Sequence, residues 1–149
     1  MKWITIIALL FLMVPSSSLA AEGLVSVKSR FGVEKTMKRY ERVLKKKGMK
    51  IIARINHGAA AKSAGIDLRK MQLVIFGNPK VGSPLMKCQP TVAIDLPQKA
   101  VVYEDAAGSV WLAYNNPAWL KARHDIEGCD EVLSKITVAL HNFAEAATH

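Results

Sequence analysis

The hydrophobic residues of this chain fall into short runs with the periods of strands and helices. The segment GLVSVKS (residues 23–29) alternates in hydrophobicity, and MKIIARIN (49–56) and MQLVIFG (71–77) are short apolar runs, as expected for strands. The segments KAVVYED (99–105) and VWLAYNN (110–116) flank a turn that contains glycine, which predicts a β-hairpin. The pattern therefore predicts five strands.

Two longer segments have helical periodicity. Residues 32–48 place apolar residues at helical spacing and end at Gly48, a residue suited to the position just past a helix. Residues 129–147 form the second predicted helix, with one apolar stripe that needs a partner surface. That stripe consists of Val132, Ile136, Leu140 and Phe143.

Three connections are less regular. The segment FGNPKVGSPLMKCQPTVAIDLP (76–97) holds four of the six prolines, and Asn78 with Pro79 predicts a helix start. We expect a short helix there, followed by an extended return to the hairpin. Residues 57–69 have the alanines and glycines of a short helix or an irregular loop, and residues 116–126 predict another short helix.

This order of elements predicts the fold class. Runs of strands with helices gathered on one side favour an α+β fold over a doubly wound parallel sheet. We expect a two-layer sandwich, with a mostly antiparallel sheet and the helices packed on one face. Residues 21–149 are enough for a single domain with its own core.

The first twenty residues have the pattern of a signal peptide. A basic start is followed by the apolar run WITIIALLFLMV and then by small residues around Ala20. We expect residues 1–20 to be removed and the domain to be exported, to the periplasm or the extracellular space. The alternative is an uncleaved anchor, although the apolar run is short for a membrane span.

Positive charge is concentrated in one segment. The chain carries a net charge of +9, and Lys28 to Lys50 alone contains ten basic and two acidic residues, a net charge of +8. This face could contact an anionic membrane surface, or it could simply be a solvated helix face. Export argues against nucleic acid, and Tyr40 lies on the apolar stripe, which leaves no aromatic platform for stacking bases.

The two cysteines of the predicted mature chain are Cys88 and Cys129. Export would expose them to oxidising conditions, so a disulfide is one expectation. Two buried thiols are the other, because sequence cannot show how far apart they lie. Neither has a second cysteine or histidine at the short spacing of a metal site, and no metal or cofactor is predicted.

Four motifs occur in order along the chain: ARINH (53–57), IFGNPKVGSPLM (75–86), IDLPQK (94–99) and VVYEDAAGSVWLAYNNPAWLKARH (101–124). Together they resemble the family catalogued as domain of unknown function 302, over about Leu24 to Phe143. The resemblance implies a compact α+β fold and brings no established activity, cofactor or substrate.

A hydrolase-like site is permitted by a few polar residues in apolar surroundings. His57, Glu104 and His124 are the candidate catalytic residues, because a histidine near a carboxylate can act as a general acid or base. Each also has a structural explanation, as a hydrogen-bonded loop residue or a solvated surface group. Asn115 and Asn116 stand where the resembled family tends to have an aspartate, which weakens a metal site at that corner.

A ligand-binding cleft is the preferred prediction. Such sites are mostly apolar with a few polar anchors, and apolar residues such as Phe76 and Met86 could form its walls. Core packing explains the same residues equally well. The predicted function is a non-enzymatic binding module for a small ligand or a partner protein, with a homo-oligomer left open. The candidate ligand-binding residues are Asn78, Lys80, Asp95, Trp111, Tyr114 and Asn115.

Overall fold

The computed structural model describes residues 23–149. The predicted signal peptide, residues 1–20, lies outside the described residues. Within the described range, no helix is both long and apolar enough to span a membrane.

Five strands form one antiparallel sheet. They are β1 (Leu24–Ser29), β2 (Lys50–Asn56), β3 (Met71–Gly77), β4 (Gln98–Glu104) and β5 (Val110–Asn115), and their order across the sheet is β1-β5-β4-β3-β2. Each neighbouring pair is antiparallel. The predicted fold class, an α+β sandwich built on an antiparallel sheet, is confirmed, and all five predicted strands are present.

The two long helices cover the sheet. Helix α1 (Val33–Lys46) contacts β2, β3, β4 and β5, and α5 (Asp130–Thr148) packs beside it and against β1. The Arg39 guanidinium donates to the carbonyl oxygens of Ala147 at 2.8 Å and Ala146 at 2.9 Å, which holds α1 to the end of α5. The apolar stripes of both helices are therefore buried between the layers, as their period requires.

The core lies between these helices and the inward-facing residues of the central strands. Tyr40 of α1 meets Phe76 of β3 edge to face, with ring centroids 5.7 Å apart. Inward and outward residues alternate along β4 and β5, because successive strand side chains point to opposite faces. The inward-facing residues include Val74, Ala100, Val102, Leu112 and Tyr114.

The shorter helices lie where the sequence analysis expected them. Residues 57–69 begin with a short helix, α2 (His57–Ser63), whose N-cap is the Asn56 side chain. The predicted helix start at Asn78 is present, and α3 (Pro79–Cys88) continues through Pro84. Helix α4 (Pro117–His124) follows β5, as expected.

The expectation of an extended return after α3 was wrong. Residues Pro90–Ile94 instead form a 3-10 turn, in which the amides of Asp95 and Leu96 donate to the Val92 carbonyl. Pro90 is tolerated at its start because the first amide of a helix has no partner inside the helix. This compact turn, and not a strand, leads into β4.

Cys88 and Cys129 form a disulfide, so the alternative of two buried thiols does not apply. Their Cα atoms are 6.4 Å apart, within the range of roughly 4.4–6.8 Å that a disulfide requires. The bond joins the last residue of α3 to the residue that precedes α5. Helix α3 is therefore fixed to the start of α5.

Candidate ligand-binding site

An apolar cavity of about 620 Å³ lies between α3 and α5, at the end of the sheet where β3 finishes and β4 begins. Small-molecule sites typically measure roughly 300–1,000 Å³, so this α3–α5 cavity has the size of a ligand pocket. Its wall from α5 includes Ile136, Ala139, Leu140 and Phe143, and its wall from α3 includes Val81, Gly82, Ser83 and Met86. The remaining lining residues are Met49, Lys50, Ile52, Phe76, Gly77, Asn78, Pro79, Leu96, Pro97, Gln98 and Lys135.

Helix α3 is attached to the rest of the domain at both of its ends. The Cys88–Cys129 disulfide fixes its C-terminal end. Its N-terminal end is fixed by Asn78, whose Oδ1 accepts from the Lys80 amide at 3.0 Å while its Nδ2 donates to the Gly48 carbonyl at 3.2 Å. The side of α3 that lines the cavity includes Gly82, which has no side chain to fill the space. The two attachments hold one wall of the cavity in place.

Gln98 is a polar residue that lines this cavity and has unused hydrogen-bonding capacity. Its side chain is only 8% exposed, and its amide nitrogen has no hydrogen-bond partner among the described residues. A buried donor without a partner is costly, so such groups are rare in folded proteins. Gln98 therefore carries an enclosed donor without a described partner beside the cavity.

Sequence reasoning missed Gln98, although a signal was present. Gln98, Ala100 and Val102 alternate on one face of β4, and the latter two are fully buried. Period-two alternation alone places a glutamine in that inward row. Gln98 was missed because the predicted strand begins one residue later than β4, at Lys99.

The predicted ligand-binding residues are brought together only in part. Asn78 lines the cavity, but its side-chain amide is already engaged with the backbone at both ends. Lys80 is exposed near the start of α3 and is not among the residues that line the cavity.

The predicted ligand-binding residues Tyr114 and Asn115, on the second strand of the hairpin, lie away from the cavity. Tyr114 points into the core, where burial raises its pKa with a further contribution from Glu145. Asn115 ends β5, where it is paired with Leu24 of the edge strand β1. Neither residue lines the α3–α5 cavity.

Trp111 faces away from the cavity, because its neighbours Val110 and Leu112 point into the core and strand residues alternate. Its indole Nε1 donates to Asp105 Oδ2 at 2.8 Å, and Asp105 Oδ1 accepts from the amides of Ala107 at 2.9 Å and Ser109 at 2.8 Å. These hydrogen bonds, the Trp111 bond foremost, lower the pKa of Asp105. Trp111 therefore supports the β4–β5 turn.

Asp95 and His124 meet in a cluster outside the cavity. Asp95 Oδ2 lies 2.6 Å from His124 Nε2 and 3.3 Å from Arg123 Nε, and His124 Nδ1 lies 3.1 Å from the Thr91 hydroxyl. The His124 side chain is 6% exposed and that of Asp95 14%. A carboxylate, an imidazole and a hydroxyl in this order have the connectivity of a nucleophilic triad, but they also join α4 to the 3-10 turn.

The three candidate catalytic residues do not form one site. Asp95, the partner of His124, lies three residues before β4 begins, whereas Glu104 lies at the far end of that strand. The two strand ends are roughly 20 Å apart at about 3.3 Å per residue. His57 begins α2 at the end of β2. Within residues 23–149, no group of three histidine, cysteine, aspartate or glutamate side chains is placed to hold a metal ion.

Fold and cavity together define a small α+β domain with a ligand-sized apolar pocket. The chain belongs to the family described as "Domain of unknown function DUF302", whose model matches residues 25–143. The predicted family membership is confirmed.

Known proteins extend this comparison. A crystal structure described as an uncharacterized conserved protein DUF302 from Bacillus stearothermophilus has the same fold, with a TM-score of 0.77 and 21% identity over 85% of this chain and 99% of that one. Curated relatives named fluoride-specific ion channel FluC 1 come from Brucella suis biovar 1 and Brucella abortus biovar 1. Each is 43% identical over 124 residues, 83% of this chain. The match spans 49% and 46% of those relatives, about half of their length.

Proposed function

We propose that this domain is a non-enzymatic binding module that takes a small apolar ligand into the α3–α5 cavity. The observation that carries this proposal is the cavity itself, which has a ligand-sized volume of about 620 Å³ and mostly apolar walls. Protein interiors are otherwise close-packed, so an opening of this size between two helices that are joined by a disulfide favours a binding role.

A pair of neighbouring substitutions tests the proposal. Ala139 lines the cavity from α5, whereas Val138 is 57% exposed and is not among the lining residues. Ala139→Phe should fill the cavity and abolish binding of the neutral apolar fluorophore N-phenyl-1-naphthylamine, and Val138→Phe should leave binding unchanged. Fluorescence titration measures both, and thermal unfolding checks that both variants fold. Equal binding by the two variants, or no binding by the unmodified domain, would contradict the proposal.

Catalysis is the less favoured alternative. A hydrolase would need His57, Glu104 and His124 to approach one substrate, and the length of β4 argues against that arrangement. The Asp95–His124–Thr91 cluster lies outside the cavity that would hold a substrate.

We also infer that the domain acts outside the cytoplasm, in the periplasm or the extracellular space. The signal-like pattern of residues 1–20 and the Cys88–Cys129 disulfide both support export, because disulfides persist in oxidising compartments. Mass spectrometry of protein recovered from each cell fraction tests this inference. Intact residues 1–20 on protein from the cytoplasmic fraction would count against it.

The channel name belongs to the relatives. About half of each of those relatives lies outside the match. Their name therefore does not assign fluoride transport to this chain. Their name does favour a membrane setting for a second candidate function.

That second candidate is contact with an anionic membrane surface through the basic face of Lys28 to Lys50. Exposed basic residues on α1 support it, and each can contribute on the order of 1 kcal/mol near anionic lipid. The exposed basic residues on α1 are Lys35, Lys38, Arg42, Lys45 and Lys46, and the acidic Glu34 in its first turn is exposed as well.

Sedimentation with vesicles tests this contact. Phosphatidylglycerol vesicles should bind the domain and phosphatidylcholine vesicles should not, with binding lost near 1 M salt, where the screening length is about 3 Å. Lys38→Gln with Lys45→Gln should weaken binding more than Lys62→Gln with Lys87→Gln, a matched pair of exposed lysines outside α1. Binding that persists at high salt would contradict the electrostatic origin.

A further inference from the structure

We propose that the Cys88–Cys129 disulfide is a redox switch that controls the α3–α5 cavity. The oxidised domain holds its ligand. Reduction of the disulfide by a dithiol frees the C-terminal end of α3, and the ligand is released. This inference rests on the proposed function, because it describes how binding in the same cavity is regulated.

The first observation is the position of the disulfide. It joins the two helices between which the cavity lies, since Cys88 is the last residue of α3 and Cys129 is the N-cap of α5. Met86, only two residues before Cys88, lines the cavity, and Ile136 lines it from α5. Breaking this bond therefore acts directly on a wall of the cavity.

The second observation is that α3 is a weak helix with little buried surface. Among the described residues of α3, Leu85 alone is buried. Gly82 and Pro84 are the residue types with the lowest helix propensities, and Pro84 has no amide hydrogen to donate. The C-terminal half of α3 therefore depends on its attachments to the rest of the domain. Once the disulfide is reduced, Leu85 is the buried attachment that remains there.

The third observation is that the core of the domain is built mainly from other elements. Tyr40 and Leu44 of α1 and Phe76 of β3 are fully buried between the layers. The Arg39 guanidinium joins α1 to the end of α5 through the carbonyl oxygens described above. None of these contacts involves α3. The reduced domain therefore stays folded while α3 loosens, as a switch requires.

The disulfide can be reached from one side. Cys88 is exposed, whereas Cys129 is only 6% exposed, so a thiolate from solvent approaches the bond at Cys88. Cys129 Sγ lies 3.8 Å from the carbonyl oxygen of Pro84. That oxygen can accept from the S–H group of Cys129 once the bond is broken. The buried sulfur therefore has a partner in the reduced domain.

Reduction proceeds by thiol–disulfide exchange with a dithiol. One thiolate of the dithiol attacks Cys88 Sγ, a mixed disulfide forms, and the Cys88–Cys129 bond breaks. Cys129 leaves as a thiolate and takes a proton from water. The second thiolate then attacks the dithiol's own sulfur in the mixed disulfide and releases Cys88, which is protonated in turn. The dithiol is oxidised to a disulfide by two electrons, and both cysteines end as thiols.

Titration with N-phenyl-1-naphthylamine compares the oxidised domain with the same protein in dithiothreitol, well below the unfolding temperature. Reduction should weaken binding by about tenfold or more, because one apolar wall is no longer held in place, and reoxidation should restore it. Cys88→Ser keeps Cys129 buried beside Pro84, so it should bind as weakly as the reduced domain and should not respond to dithiothreitol. The matched control is Lys87→Ser at the neighbouring exposed position, which should bind and respond like the unmodified domain.

Hydrogen exchange gives a second measurement that does not depend on the fluorophore. Reduction should speed the exchange of the backbone amides of α3 and leave those of β3 and β4 unchanged, since local opening exposes only the segment that is released. Circular dichroism checks that the reduced domain and Cys88→Ser keep their secondary structure.

The outcomes separate this inference from the function on which it rests. If the oxidised domain binds the fluorophore, then equal affinity after reduction, unchanged exchange in α3, or unfolding of the whole domain would each overturn the switch and leave the binding module standing. A disulfide that dithiothreitol leaves intact in the folded domain would overturn it too. No binding by the oxidised domain would remove the binding module itself, and the release of a ligand with it.

Discussion

The imidazole Nε2 of His124 lies 2.6 Å from the Asp95 carboxylate, which joins α4 to the chain just before β4. The two residues are 29 positions apart, and Thr91 contacts the other ring nitrogen. The Asp95 backbone is held too, since the Lys99 ammonium donates to its carbonyl at 2.9 Å. The cluster stabilises the turn that leads from α3 into the sheet and thus one edge of the α3–α5 cavity.

Removing the carboxylate should therefore destabilise the domain. Asp95→Ala leaves the buried His124 without its partner, and we expect the free energy of unfolding to fall by about 1–3 kcal/mol. Urea unfolding measures the change, and Asp67→Ala, at an exposed loop position, is the control. Equal stability of Asp95→Ala and the unmodified domain would show that the cluster is not a stabilising contact.

Replacing Tyr40 with phenylalanine should leave the stability of the domain unchanged or raise it. Its hydroxyl is fully buried and has no hydrogen-bond partner among the described residues, and burial, assisted by Tyr114, raises its pKa well above the ordinary value. Tyr40→Phe removes a buried polar group without a partner and keeps the edge-to-face contact with Phe76, so we expect unchanged or higher stability, by up to about 2 kcal/mol. Thermal and urea unfolding measure it. A clear loss of stability would mean that the hydroxyl is satisfied in solution.

The disulfide should contribute strongly to stability. Cys88 and Cys129 are separated by 41 residues, and closing a loop of that length restricts the unfolded chain by up to about 4 kcal/mol. Replacing both with serine should lower the urea midpoint, and dithiothreitol should have the same effect on the unmodified domain only. If the double variant kept its midpoint and still bound the fluorophore, α3 would be held by its packing alone.

The Trp111–Asp105 hydrogen bond should be visible in a pH titration. Trp111→Phe removes the largest cause of the lowered carboxyl pKa, so the pKa of Asp105 should rise towards the ordinary value of about 3.9. NMR titration of the Asp105 carboxyl carbon measures this change directly. No shift in the variant would mean that the backbone amides of the turn alone set the pKa.

The sign of the pH effect follows from that lowered pKa. The carboxyl group contributes stability above its unfolded pKa, near 3.9, and the contribution is lost as the pH falls through the lower folded value. Unfolding midpoints of the unmodified domain and Trp111→Phe should therefore differ more at pH 6 than at the acid end. A constant difference across this range would contradict the linkage.

Local patterns were enough to predict most elements of this fold. Alternation placed the strands, and the stripe from Val132 to Phe143 placed α5, because both depend on which side chains must leave water. Pro79 after Asn78 predicted the start of α3 for a similarly local reason, since proline at the first helical position lacks only an amide hydrogen that would be unpaired anyway.

Other features arose only when distant segments packed together. The Asp95–His124 contact, the Cys88–Cys129 disulfide and the cavity between α3 and α5 each join parts of the chain that no short-range period relates. Trp111 and Gln98 show the difference most clearly. The amino-acid sequence alone placed Trp111 on a strand, and simple alternation gives Gln98 an inward position once that strand is begun one residue earlier than predicted. Only the tertiary structure decided that Gln98 lines a cavity, because that space depends on the distance between α3 and α5.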